Sequence, residues 1–290
     1  MIYDSGDDWL ASPSKRVCLF GMSGLGKTRL AAILRDNGEW FHYSVDYRIG
    51  TRYMGEFIAD NAKREAMKVP FLRELFLSDS IYISSNITFH NLAPLSAYLG
   101  RPGNPDKGGL PFAEYMKRQN QHRAAEMAAT LDSAYFIARA SDLYGYDKFA
   151  CDTSGSVCEV IDPDNPDDPV LGAMAETMLM VWIEGSADHT ADLIRRFDRA
   201  PKPMYYDPGF LEAAWTDYRA ETGEDEAAVD PDAFVRWAYA RALAHRQPRY
   251  AAMARRGVTI SAAESAAVTD AADFEALIAR AIDRVAPNAP

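Results

Sequence analysis

Residues Gly21-Met-Ser-Gly-Leu-Gly-Lys-Thr28 match the pattern Gly-x-x-x-x-Gly-Lys-[Ser/Thr] at every fixed position. The chemistry of a polyphosphate demands these types. Glycines let backbone N–H groups turn inward onto phosphate oxygens, and the start of a following helix adds a favourable dipole. Lys27 can reach the β- and γ-phosphates, and Thr28 can ligate Mg²⁺. The ligand set for ATP with Mg²⁺ is then Gly21, Met22, Ser23, Gly24, Leu25, Gly26, Lys27, Thr28 and Arg29. Chance alone gives such a match roughly once in a hundred chains of this length at average composition. A glycine turn that merely precedes Lys-Thr is the competing reading, and the flanking elements described below count against it.

Three further groups could do chemistry. Asp46 closes an apolar run, with Arg48 and Arg52 just beyond. An acid with two arginines can hold a substrate hydroxyl and an anionic group, although an Asp-initiated turn with solvated arginines uses the same residues. Asp152 closes another apolar run and is followed by Gly155. An acid there can hold Mg²⁺, often through water, and Gly155 lets a backbone approach a substrate closely; Asp-Thr-Ser-Gly is also turn chemistry. Arg195, Arg196 and Arg199 fall within five positions. They could clamp a transferring phosphate or simply form a solvated helix face. The five histidines show no ligand spacing, and Cys18, Cys151 and Cys158 match no zinc pattern.

The elements that must position these groups follow from periodicity. Lys15–Phe20 reads as a buried strand, Thr28–Arg35 as a helix stopped by Asn37-Gly38, and Trp40–Val45 as a second strand ending at Asp46. Strand, glycine loop, helix, strand opens a parallel α/β sheet. Residues 48–145 read as a mostly helical insertion, with Pro111–Tyr144 as one long helix or two. Strands follow at Lys148–Cys151, Met178–Ile183 and Gly257–Ser261. A helix starts near Asp188 and runs into an Arg-rich turn at Arg195–Pro203. Asp230 caps another helix whose first residue is Pro231. The organisation expected is a single domain over 1–290, with 48–145 as an acceptor-binding subdomain.

Bulk properties narrow the function. The chain has 290 residues, 48% of them hydrophobic, which is enough for a full core. Its 31 basic and 42 acidic residues leave a net charge of −11, which argues against broad, sequence-independent nucleic-acid binding. Residues Met1–Ser14 lack the basic start and apolar run of a signal peptide, and no apolar stretch is long enough to span a membrane. A cytoplasmic location is the default expectation.

The order of motifs resembles the shikimate-kinase-like branch of the P-loop small-molecule kinases. The matching pieces are Gly21–Thr28, Asp46, Asp152–Ser156, Met178–Ile183, Arg195–Pro201 and Arg246-Gln-Pro-Arg-Tyr250 before Val258–Ile260. The resemblance covers about half the chain. It implies that Asp46 and Arg246 touch the acceptor, that Gly155 lines its pocket, and that Arg196 or Arg199 belongs to a lid. The family's Gly-Gly-Gly turn is Thr153-Ser-Gly-Ser156 here, and the insertion far exceeds the family's acceptor segment. Shikimate is therefore not the expected acceptor. The resemblance implies phosphoryl transfer from ATP-Mg to a hydroxyl or phosphate of a small molecule or nucleotide, with Lys27, Asp46, Arg196 and Arg199 as catalytic residues. The alternatives are an ATPase or nucleotide switch that acts on a partner protein through the inserted helices, and a nucleic-acid end kinase.

Overall fold

Five short apolar runs become five parallel strands in the computed structural model, which describes residues 2–285. They are β1 (Arg16–Phe20), β2 (Trp40–Ser44), β3 (Lys148–Asp152), β4 (Leu179–Glu184) and β5 (Val258–Ser261). They lie in the order β2-β3-β1-β4-β5. β1 is central, with Leu19 in register with Asp152 on one side and Val181 on the other. Central parallel strands are covered on both faces and read as continuous apolar runs rather than alternations. Val17–Phe20 and Met180–Ile183 have that character and are buried throughout.

Along the chain, the helices are α1 (Gly6–Ala11), α2 (Lys27–Asp36), α3 (Val45–Arg48), α4 (Gly55–Ala66), α5 (Pro70–Leu77), α6 (Ala93–Leu99) and α7 (Phe112–Tyr144). Then come α8 (Pro169–Thr177), α9 (Ala187–Arg199), α10 (Pro208–Thr222), α11 (Pro231–Ala254), α12 (Ala262–Ala267) and α13 (Ala271–Val285). Their starts are chemically marked. Ser5, Asp168, Ser186, Asp207 and Ser261 each accept a backbone N–H with the side chain at the N-cap. Asp230 accepts from Asp232 and Ala233 N at 3.0 and 3.1 Å, with Pro231 at the first helical position. The result is an α/β fold built on a parallel sheet, with the glycine-rich loop after the first strand and a largely helical stretch between β2 and β3.

The chain divides into two compact units. The first takes in the described parts of 1–45, 126–201 and 236–290 and contains the whole sheet. Its acidic opening stretch is folded: Trp9 on α1 is fully buried, donates Nε1–H to the Glu275 carbonyl at 2.9 Å, and lies 6.4 Å from the Trp40 ring. The second unit comprises 46–125 and 202–235. Aromatic stacking centres it, with Phe112 parallel to Trp215 at 4.7 Å and Phe234 edge-on to Trp215 at 4.9 Å. No helix among the described residues is long and apolar enough to cross a membrane.

Two local expectations differ from the fold. β2 stops at Ser44, and Asp46 sits in α3 rather than at a strand end. The chain there continues into a π-helical turn, Ile49–Tyr53, closed by Met54 N–H donating to the Ile49 carbonyl at 2.8 Å. The Arg-rich segment is helical as far as Arg199. Buried Leu193 and Phe197 stand four residues apart on α9, and that stripe carries the helix through the arginines.

One cap has a measurable pH signature. Ser261 and Glu264 form a reciprocal capping box, with Glu264 N–H donating to Ser261 Oγ at 3.1 Å and Ser261 N–H to Glu264 Oε2 at 2.7 Å. That backbone bond, helped by Arg284, holds the Glu264 carboxyl below its ordinary 4.5. A depressed folded-state value stabilises the fold above the unfolded value, and the contribution is lost as pH falls through the folded one. Glu264→Gln is expected to melt earlier than the native chain at pH 7, with the gap closing below pH 4.5. Thermal melts of both chains across that range check it.

Candidate functional site

The loop after β1 delivers the phosphate-binding motif onto the first turn of α2. Gly26 has φ 93°, in the left-handed region, and is the N-cap of that helix. A side chain there would be strained, so glycine lets the loop feed its N–H groups toward the helix start. Lys27 is buried, and its Nζ donates to the Gly21 and Met22 carbonyls at 2.8 and 3.1 Å. The ammonium is thus held against its own loop. Thr28 is exposed at the first turn of α2. Arg29 donates to the Ser265 and Val268 carbonyls at 3.2 and 2.8 Å, tying the loop to the segment after β5.

The turn after β3 lies against this loop. A Cβ added to Gly155 would come to 3.0 Å from both Ser23 N and Ser23 Cβ, so a side chain there would push the loop back by a few tenths of an ångström. Thr153 N–H and Oγ1 both donate to the Leu19 carbonyl, at 3.2 and 2.9 Å. Asp152 is buried, with Oδ2 3.6 Å from His42 Nε2. Its Oδ1 has no hydrogen-bond partner among the described residues. Leaving a buried carboxylate oxygen without a donor is costly. A cation or its water shell would satisfy that oxygen.

The donor set fits Mg²⁺. Mg²⁺ is a hard ion that retains several waters and takes one or two protein oxygens besides nucleotide phosphates. Thr28 and Asp152 supply that number. Among the described residues no group of three His, Cys, Asp or Glu side chains could cage a metal by itself.

Three buried residues complete the β3 turn, two of which sequence patterning left unassigned. Glu126 on α7 accepts from Ser154 Oγ and, at 2.9 Å, from Ser156 Oγ. The signal that could have found it is a lone acid on a stripe of small residues, since Glu126, Ala129, Thr130 and Ser133 are all buried at helical spacing. Glu159 accepts from Arg246 Nη2 at 2.6 Å, with both side chains buried. Burial works against the Arg246 charge, and the Glu159 carboxylate overcomes it, raising the guanidinium above its ordinary value. Arg246 Nη1 and the Tyr250 hydroxyl both donate to the Gly155 carbonyl, at 3.0 and 2.8 Å. Arg246, expected at the acceptor, is therefore engaged with Glu159 and Gly155 in this structure.

The remaining candidates are placed as follows. A cavity of about 230 Å³ opens beside Gly24 and Gly26, with His189 on α9 and Ala262 and Ser265 on α12 among its lining residues. Arg196 and Arg199 are exposed on the last turn of α9, and Arg195 pairs with Asp192. That turn is anchored: Phe197 stacks on Tyr239 at 3.9 Å, and the Asp198 carbonyl accepts from Arg236 at 3.0 Å. Asp46, Arg48 and Arg52 lie in the second unit, on α3 and the π-helical turn. Arg48 sits 5.8 Å from the Tyr53 ring centre. Pi-helical turns often occur where a helix must re-aim functional side chains.

No protein-family model matches the chain, and no curated protein does. Among solved structures, it is similar to a shikimate kinase from Bacteroides thetaiotaomicron, with 16% sequence identity, coverage of 92% of this chain and 95% of that chain, and a TM-score of 0.36.

The buried ion pair supports a stability prediction. Removing one partner leaves the other charge uncompensated, at a cost of about 3–5 kcal/mol, whereas replacing both with apolar groups is far milder. Arg246→Met and Glu159→Leu are each expected to lower unfolding free energy by about that amount in urea titrations. The double variant is expected to recover most of it. A double variant as unstable as either single one would show that the pair is not what braces the turn.

Proposed function

We propose that this chain transfers the γ-phosphoryl group of ATP-Mg to a hydroxyl or phosphate of a small molecule or nucleotide. The observation that carries it is the pairing of a phosphate loop with an adjacent strand that ends in a buried carboxylate, Asp152, with an unsatisfied oxygen. Polyphosphate and a hard cation are the ligands for which that pair of features is suited. The cavity beside Gly24 and Gly26 gives the nucleoside a place next to the loop.

In this reading the loop amides and Lys27 hold the β- and γ-phosphates. Lys27 exchanges its contacts with the Gly21 and Met22 carbonyls for phosphate oxygens. Thr28 and Asp152 would hold Mg²⁺, which neutralises charge on the phosphate oxygens when bound. Asp46 enters on chain connectivity, two residues beyond the carboxyl end of β2, the edge where open α/β sheets bind ligands. Its carboxylate takes the proton of the acceptor hydroxyl as the new O–P bond forms. The bond from the γ-phosphorus to the β,γ-bridging oxygen breaks, and ADP leaves. Arg48 and Arg52 hold anionic parts of the acceptor, Gly155 lines its pocket, and Arg196 and Arg199 neutralise charge on the transferring group.

A second reading rests on a separate observation. Val69, Phe71, Leu77 and Tyr82 are large apolar side chains exposed to solvent within a short stretch. Such a face suits an ATPase or nucleotide switch that acts through a protein partner. ATP consumption measured across a panel of hydroxyl and phosphate acceptors separates the two. Acceptor-dependent consumption with a phosphorylated product supports the kinase. Consumption that yields only inorganic phosphate with every acceptor supports the ATPase.

Two substitutions test the assignments. Lys27→Ala is expected to abolish most ATP turnover, because it removes charge from the phosphates, with a lower melting temperature but a native fold by circular dichroism, because it also strips the Gly21 and Met22 carbonyls of a donor. Full turnover in that variant would show that Lys27 is no phosphate ligand. Asp46→Asn keeps the shape and loses the proton acceptor. Transfer is expected to fall about a hundredfold or more, in line with general-base losses, while nucleotide binding measured by calorimetry persists. A native transfer rate, or loss of binding along with transfer, would remove Asp46 from the acceptor role.

A further inference from the structure

The α5 helix has the apolar sequence Pro70-Phe-Leu-Arg-Glu-Leu-Phe-Leu77, yet none of its residues is buried. Phe71 and Leu77 are 68% and 70% exposed. A helix this short is marginal in water and depends on burying an apolar face. Val69 before it and Tyr82 after it are exposed as well. Clustered apolar exposure of this kind marks an interaction face.

The order of the residues identifies what covers it. Phe71-Leu-Arg-Glu-Leu-Phe76 reads the same in both directions except at its centre, where Arg73 and Glu74 exchange places. Two copies of α5 laid antiparallel, with a two-fold axis between Arg73 and Glu74, bring each Arg73 opposite the other copy's Glu74. The same operation sets Pro70 level with Leu77 and Phe71 level with Phe76. A two-fold interface requires this property, because residue i meets j while j meets i. A parallel pairing would instead oppose like charges, which is repulsive. Pro70, Arg73, Glu74 and Leu77 follow the helical repeat along one stripe, and all are exposed, whereas Leu72, Leu75 and Phe76 are half-buried. Arg73 and Glu74 form no ion pair with another described residue. Being adjacent in sequence, they do not face each other within one helix.

We propose that α5 is the seam of a homodimer, in which a second copy of this chain packs its own α5 antiparallel across Arg73 and Glu74. The seam covers Phe71 and Leu77, with Val69 and Tyr82 at its ends. It is independent of the chemistry assigned to the phosphate loop.

Sedimentation of the full chain across micromolar concentrations tests the seam. The native chain is expected at twice its 32.2 kDa mass. Arg73→Glu and Glu74→Arg each place like charges across the axis and are expected to weaken dimerisation by about tenfold or more. The combined variant Arg73→Glu/Glu74→Arg restores opposite charges and is expected to restore the dimer. Leu77→Glu is expected to sediment as a monomer. All three positions are exposed, so circular dichroism is expected to stay native. The charge series decides the matter if Leu77→Glu fails to fold. A native chain that remains monomeric up to roughly 100 μM overturns the proposal, including if the face then takes a different protein. So does a dimer indifferent to these changes, or a combined variant that fails to recover.

Discussion

The carbonyl oxygen of Gly155 accepts from Arg246 Nη1 at 3.0 Å and from the Tyr250 hydroxyl at 2.8 Å, and the phosphate end of the sheet depends on that double anchor. On its other side, Gly155 is pressed against Ser23 so closely that a side chain would have to push Ser23 back. A turn fixed on one side only would be free to recede from the loop. Arg246 and Tyr250 are four residues apart on α11 and so project from one face of the helix. They grip the turn from behind. Glu159 balances the guanidinium that this arrangement buries. A buried ion pair contributes little net stability relative to apolar packing. What it contributes here is direction, because a planar guanidinium with both terminal nitrogens engaged fixes the turn it holds.

The same turn concentrates buried polar groups where the strands end. Glu126 collects the hydroxyls of Ser154 and Ser156, and Asp152 stands between His42 and the strand that feeds the loop. Polar groups in a low-dielectric interior are costly unless fully partnered, and that cost makes them directional. The nearby thiol takes no part: burial, with Glu159 adding to it, pushes Cys158 up to about 12. At neutral pH it is an inert core group beside the ion pair.

How much of this was legible depends on how local the signal was. The strands were readable because central parallel strands must be apolar throughout, as Val17–Phe20 and Met180–Ile183 are. The glycine loop was readable because phosphate binding fixes both residue type and spacing. Where a long-range partner decides, sequence patterning falls short. Nothing near Glu126 announces that two serines thirty residues away will occupy its carboxylate. Asp46 was read as the end of a strand, but β2 stops at Ser44 and a helix begins at Val45. Residues 48–145 resisted placement for a related reason. Periodicity marks the stretch as helical, and only the fold reveals that none of α5 is buried.

The net charge of −11 raises a final physical question, since a polyphosphate is itself strongly negative. At physiological ionic strength the screening length is about 8 Å, so the far acidic surface contributes little at the loop. In the proposed reading, recognition is therefore short-range, from Lys27 and amides at the start of α2. The immediate surroundings still include the carboxylate of Asp152, which lies one strand from β1. A free polyanion brought beside that buried acid meets repulsion. One that carries a divalent cation presents the charge the acid lacks. On that reading the arrangement favours the metal-bound nucleotide over the free one. In the proposed reading Asp152 thereby selects the ligand's form besides holding part of it, which is a reason for a carboxylate, and not a neutral side chain, to stand where β3 ends.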